Sequence, residues 1–189
     1  LEPSLVKLTA MSSFSDAHEC REIPYIAANL HQLVLPRQCQ VWAVISPELE
    51  LQEIQYRLIS GMLGRFCLSG PVQDLNAEQW QEVKDAMRFY GKAREIIKKG
   101  RSRLVRTGRN NQHHLEGAQI LFREMEGKVL VIYHAFSNPP TSIGGILPEG
   151  KWKITDAFGR KCRLELGKEE LKIWPQDSWE AGAVYLERG

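Results

Sequence analysis

Three loops in the sequence follow strand-like runs, and one of them gathers titratable side chains. It reads Ser12-Ser13-Phe14-Ser15-Asp16-Ala17-His18-Glu19, with Asp16, His18 and Glu19 inside four residues. In a βα architecture functional side chains lie on the loops just after the strands, and among the three loops only this one gathers titratable groups. The same Asp-x-x-Glu spacing ahead of an apolar helix is also a helix-capping signature, and His18 also fits a solvated loop histidine. A metal centre calls for ligands at helical spacing or a cysteine cluster, and neither occurs. No metal and no other cofactor is therefore expected.

The elements around this loop alternate. Leu5 to Met11 reads as a strand, and Ile23-Pro24-Tyr25 opens a helix with Ile26, Leu30 and Leu33 on one face, halted before Pro36. Gln40 to Ile45 reads as a strand with Trp42 and Val44 on one face. Leu51, Ile54, Leu58, Met62 and Leu63 recur at helical spacing, and Phe66 to Leu68 forms a third strand. A last helix starts at Asn76, with Gln79 at the capping-box position. It carries Trp80, Val83, Met87, Tyr90 and Ile97 as its stripe and ends at Gly100.

Three strand–helix units in succession imply parallel strands with helices packed outside them. No GxGxxG or GxxxxGK[ST] follows a strand, which argues against a nucleotide-binding sheet. Three units in roughly 100 residues match the last three units of a (β/α)8 barrel of ~250 residues, in which functional side chains sit on loops after the strands. The chain begins with Leu rather than Met. It is expected to be a fragment, with the rest of the barrel preceding Leu1.

Beyond Gly100 the pattern changes. Ala118 to Met125 and Lys128 to Phe136 are strand-like runs joined at Glu126-Gly127, a hairpin signal. Lys151 to Asp156 and Lys161 to Leu166 flank a Phe158-Gly159-Arg160 turn. Glu170 to Trp174 and Ala181 to Arg188 complete a small antiparallel β-sandwich. The division is 1–100 for the barrel part and 101–189 for the sandwich. Trp152, Trp174 and Trp179 are candidates for a sugar-stacking surface, with core packing as the alternative. A non-catalytic carbohydrate-binding or structural sandwich on a degenerate barrel is the competing function.

Charge and composition narrow the partners. A formal charge of +2 over 189 residues gives no global reason for nucleic acid or an anionic membrane. No apolar run approaches the ~20 residues of a membrane span. The basic stretch from Lys92 to Arg109 lacks interleaved aromatics and reads as a solvated helix end and linker. Asn110 to His114 reads as an exposed loop. Cys20, Cys39, Cys67 and Cys162 form no CxxC pair, which suits a reducing, cytoplasmic setting.

Ser13-Phe14-Ser15-Asp16 resembles the segment of the α-galactosidase clan that ends in the acid/base carboxylate. Leu63-Gly64-Arg65-Phe66-Cys67-Leu68-Ser69-Gly70 is similar to the last barrel strand of glycoside hydrolase family 36. The helix carrying Phe89-Tyr90-Gly91 and Ile96-Ile97-Lys98-Lys99-Gly100 resembles the helix that follows it there, and members then finish with a β-sandwich. Where typical members continue with Asn/Asp-Thr-Asp, this chain has Ala17-His18-Glu19. The resemblance implies a retaining glycosidase acting on a terminal α-galactoside or related carbohydrate, possible as a homo-oligomer. Asp16 would be the acid/base, Phe14, His18, Glu19 and Arg65 would line the sugar, and the nucleophile would lie outside this sequence.

Overall fold

The computed structural model describes residues 4, 6–13, 19–108, 110–111, 113–159 and 163–189. Strands β1 (Ser12–Ser13), β2 (Cys39–Val44) and β3 (Arg65–Ser69) form a parallel sheet in that order. Helix α1 (Ile23–Leu30) links the first two, α2 (Leu51–Gly61) links the second pair, and α3 (Ala77–Lys99) follows β3. Alternation along β2 sorts its side chains. Cys39, Val41 and Ala43 are buried, and Val41 and Ala43 pack with Ile54 and Leu58 of α2. Gln40, Trp42 and Val44 point away from the helices. Parallel register sets them beside Arg65, Cys67 and Ser69, and sets Ser13 beside Gln40.

Two details differ from the periodicity. The first strand starts at Ser12, and residues 6–8 run in turns. The carbonyls of Val6 and Thr9 accept from the Gln38 side chain, each at 2.9 Å, in place of a strand ladder. Leu5 itself lies outside the described residues. Helix α1 stops at Leu30, so Leu33 falls in the following turn and is 73% exposed; Ile23, Ala27 and Ala28 form the buried face.

The start of α3 is as expected. Asn76 Oδ1 accepts from the amides of Glu78 and Gln79 at 3.0 and 2.9 Å, and Gln79 Oε1 accepts from the Asn76 amide at 3.1 Å. Its buried stripe is Val83, Ala86, Phe89, Ala93, Ile96 and Ile97, while Trp80 and Met87 sit at its margin. Gly100 ends the helix in an extended conformation. A Cβ there would lie 2.5 Å from the Ile96 carbonyl oxygen, so the glycine allows close packing and not a left-handed turn.

Strands β4 (Arg101–Thr107), β7 (Ala118–Met125), β8 (Lys128–Ala135), β10 (Trp152–Gly159) and β13 (Ala181–Arg188) make an antiparallel sheet ordered β10-β13-β8-β7-β4. β9 (Ile143–Ile146), β11 (Arg163–Leu166) and β12 (Glu170–Trp174) make a second sheet, ordered β11-β12-β9. A two-residue pair, β5 (Asn110–Asn111) and β6 (His114–Leu115), lies between β4 and β7.

The larger sheet is buried on both faces. Leu121, Leu130, Ile132 and Tyr185 pack against α2 and α3, while Phe122, Val131, Tyr133 and Leu186 pack against Ile143, Leu171 and Ile173 of the smaller sheet. The expected Phe158-Gly159 turn is instead the end of β10, paired to Ala183 and Gly182. Strand β10 therefore does not form a hairpin with β11. Arg160, Lys161 and Cys162 lie outside the described residues, as does Arg109 of the basic stretch. Part of that stretch is β4, which the sequence pattern read as linker: Arg103 reaches Glu124 and Arg106 reaches Gln119, each at 3.1 Å.

Two buried histidines make stability depend on pH. His134 has Nε2 3.2 Å from Ser60 Oγ, and burial holds its pKa down to about 3. Burial, with the Arg123 charge added, holds His31 to about 2. Both lie below the ~6.5 of a solvated imidazole. Below pH ~6.5 the unfolded chain takes up protons that the native state refuses. Stability is therefore complete above that pH and falls toward pH 3, by up to about 1.4 kcal/mol per pH unit for each histidine. Urea unfolding of His134→Gln is expected to show a shallower loss between pH 6.5 and 4 than the parent. Equal slopes would mean that native His134 accepts a proton in that range.

Candidate functional site

The C-terminal edge of the parallel sheet is held by bonds among its own strands and from α2 and α3. Ser13, the last residue of β1, accepts from Trp42 Nε1 through its hydroxyl at 2.7 Å. The Ile45 amide donates to the Ser69 carbonyl at 2.9 Å. Gly70 follows at φ +96°, where a Cβ would stand 2.2 Å from the Ile45 carbonyl oxygen. Only glycine fits that approach. Arg57 of α2 reaches back to the Val44 carbonyl at 2.9 Å, and Gln79 Nε2 donates to the carbonyls of Pro47 and Leu49, both at 3.0 Å. The loop after β2 is thus tied to two helices.

Residues 14–18 follow β1 in the sequence, and Phe14, Asp16 and His18 lie outside the described residues. Glu19 is exposed, and its carbonyl accepts from the Glu22 amide at 2.9 Å. The Cys20 thiol lies 3.5 Å from Glu19 Oε1 and 3.8 Å from Glu53 Oε1. Burial pushes that thiol up to about 11, with the neighbouring carboxylates adding to the rise against Arg57. It is therefore protonated at neutral pH and no nucleophile. Cys39 is raised to about 11 in the same way.

Helix α1, which follows this loop, is clamped to the larger antiparallel sheet. Arg106 of β4 stacks its guanidinium 4.2 Å over Tyr25, donates to Asn29 Oδ1 at 2.6 Å and to the Tyr25 carbonyl at 3.2 Å. Gln119 of β7 donates to the Pro24 carbonyl at 2.9 Å, and His113 Nδ1 is 2.9 Å from Glu22 Oε1. Trp179 adopts φ +60°, rare for a bulky side chain, and sits under Arg21 with 4.6 Å from guanidinium to ring. A cleft of about 250 Å³ opens there, lined by Cys20, Arg21, Glu50, Gln52, Tyr56 and Trp179 among others. Sequence periodicity did not flag this cleft, because Trp179 belongs to a loop and meets Arg21 only through the tertiary fold.

Arg65 stands at the start of β3, beside Gln40 and at the opposite end of the strand from Ser69 and Gly70. It lines a separate cleft with Arg37, Tyr90, Arg94 and Lys98. The three tryptophans do not share a surface. Trp152 belongs to the core between the two antiparallel sheets and donates to the Pro148 carbonyl at 2.7 Å. Trp174 lies in β12 under Arg163, and Trp179 packs against the helix-side core. Among the described residues no group of three or more His, Cys, Asp and Glu side chains could hold a metal ion, and no helix is long and apolar enough to cross a membrane.

No protein-family model matches the chain, and no curated protein matches it. Solved structures do. The GH36 α-galactosidase AgaB from Geobacillus stearothermophilus superposes with a TM-score of 0.67 at 14% identity. The galactosidase domain of the α-galactosidase-sucrose kinase AgaSK gives 0.65 at 12%. A variant of AgaA from Geobacillus stearothermophilus, in complex with 1-deoxygalactonojirimycin, gives 0.65 at 15%. Each match covers 92% of this chain and 25% of the other protein. At such identities the likeness is one of fold: mixed helix and antiparallel sheet, arranged as in a C-terminal region of GH36 α-galactosidases.

Proposed function

We propose that the chain is the C-terminal part of a retaining glycoside hydrolase acting on terminal α-galactosides or related glycosides, with Asp16 as acid/base. The likeness to GH36 α-galactosidases over 92% of the chain carries this reading. In it, residues 1–100 supply the last three βα units of a (β/α)8 barrel and residues 101–189 the sandwich that follows. The sequential order β1-β2-β3, with helices on one face and Gln40, Trp42 and Val44 on the other, supports a barrel wall whose inner face is the one turned from the helices.

Asp16 comes three residues after Ser13, the residue pinned by Trp42 at the end of β1. In a retaining mechanism it protonates the leaving oxygen and then deprotonates the incoming water. A second carboxylate, about 5–5.5 Å away, forms the covalent glycosyl intermediate. That nucleophile comes from an earlier strand, outside this sequence. An acid/base in this role would need its pKa raised, by burial and by the nucleophile's negative charge. His18 and Glu19 line the sugar. Arg65, at the other end of its strand, falls outside this site. The partner is carbohydrate, with nucleic acid and membrane excluded from the reading; a cytoplasmic setting and a homo-oligomeric state belong to it as well.

The test is hydrolysis of an aryl α-galactoside by the intact protein and by the 189-residue chain alone. Release by the intact protein only is expected, since the chain lacks its nucleophile. Release by neither, on a panel of aryl α- and β-glycosides, overturns the hydrolase reading.

A further inference from the structure

A second cleft, of about 580 Å³, lies at the N-terminal end of β3, away from the Ser69–Gly70 edge. Three structural elements send cations into it: Arg37 from the 3₁₀ turn Pro36–Gln38, Arg65 from β3, and Arg94 and Lys98 from α3. Among the described residues none of these four side chains makes a hydrogen bond or a close ion pair, and Arg94 and Lys98 meet Glu95 only through the longer-range field. Glu95, the one carboxylate lining the cleft, has its Oε2 2.8 Å from Lys99 Nζ. Four like charges facing one concavity repel one another, and low-dielectric walls focus their field.

A fifth cation lies beneath. Arg123 of β7 is fully buried, and it donates to the carbonyls of Leu63 and Ile97 and approaches His31 Nδ1 at 3.4 Å. Ile97 also lines the cleft. No carboxylate meets Arg123 among the described residues; the carbonyls at the ends of α2 and α3 give it only partial negative charge. Glu95, shared with Lys99, stands as a single carboxylate against the four lining cations and Arg123, so the region carries a net positive field.

We propose that this cleft binds a small molecule bearing two or more phosphate or carboxylate groups. Guanidinium forks grip such oxyanions through paired, charge-assisted hydrogen bonds, and forks arriving from separate elements suit a ligand with more than one anionic group. The volume falls in the range of small-molecule sites. Its position leaves the Ser69–Gly70 edge free, so the ligand and a glycoside can be held together. The assignment does not depend on the hydrolase reading.

Calorimetric titration of the intact protein with pyrophosphate, with sodium chloride holding ionic strength constant, tests it. Saturable single-site binding is expected. The double variant Arg65→Ser/Arg94→Ser weakens it by about ten-fold or more, whereas Lys84→Ser, an exposed change elsewhere on α3, leaves it unchanged. Citrate in place of pyrophosphate separates a carboxylate ligand from a phosphate one, and saturable binding of either supports the site. Three results overturn it: no saturable binding of either probe at millimolar concentration, equal affinity in the double variant, or an equal loss in Lys84→Ser. Tighter binding of a polyglutamate peptide than of both small probes would also overturn it, in favour of an acidic protein surface.

Discussion

Asp16→Asn is expected to lower turnover of the intact protein on glycosides with poor leaving groups by about 10²–10⁴-fold, the usual contribution of a general acid/base. Activated aryl glycosides, whose leaving oxygen needs no proton, lose much less. The choice of asparagine separates the two roles open to this residue. Asparagine caps a helix about as well as aspartate, so the variant keeps any capping bond while losing the transferable proton. Asp16→Ala removes both, adding a stability loss of about 0.5–2 kcal/mol if the residue is also a cap. Equal, near-parental rates of Asp16→Asn on both substrate types would take Asp16 out of the mechanism and leave it a cap.

Phe89→Ala is expected to destabilise the chain by about 3–5 kcal/mol, the typical result of emptying a fully buried aromatic site. Phe89 is wholly shielded on α3 and lies in the core that joins the helices to the larger antiparallel sheet, 6.4 Å from the ring of Phe158. The cavity is bounded by a helix on one side and a sheet on the other, so neither can collapse into it freely. Urea titration reads the loss directly. A change under about 1 kcal/mol would mean that the helix and sheet can close over the gap, against the rigid packing of such interiors. Trp80→Ala, on the margin of the same helix, serves as the contrasting substitution.

The sequence carried the order of elements well, because local signals and tertiary demands agreed there. Asn76 and Gln79 form the capping box that their spacing announced, and Gly127 turns the hairpin between β7 and β8 at φ +68°. The hydrophobic runs of those strands were legible as strands because both their faces are buried. What failed had a physical cause in each case. Arg101 to Thr107 hid a strand because Arg103 and Arg106 find partners across the sheet and on α1, information absent from local pattern. The 143–146 segment was passed over since its two central glycines carry no alternation to read; a Cβ at Gly145 would meet the Phe122 ring at 2.6 Å. Leu5 to Met11 looked extended by composition, but the Gln38 side chain claims its carbonyls.

The site was legible by type more than by place. Asp16, His18 and Glu19 stood out as titratable groups after a strand, whereas Trp42 drew notice only for the face it shares with Val44. Its bond to Ser13 appears only when β1 and β2 are laid side by side. Arg65, expected among the sugar-lining residues, starts β3 at the end opposite Ser69, a placement that only the strand's direction in the sheet reveals.

The larger antiparallel sheet, with helices against one face and a second sheet against the other, also constrains how such a protein can be recombined. A hybrid joined at Gly100 would take its helices from one parent and the sheet they grip from another. Leu121, Leu130, Ile132 and Tyr185 would then meet foreign partners across a dry interface. Exchange of β9, β11 and β12 alone, whose contacts lie on the far face, leaves that interface untouched. Lineages carrying this architecture are therefore free to vary the outer sheet by shuffling, while the inner one must change in step with α2 and α3.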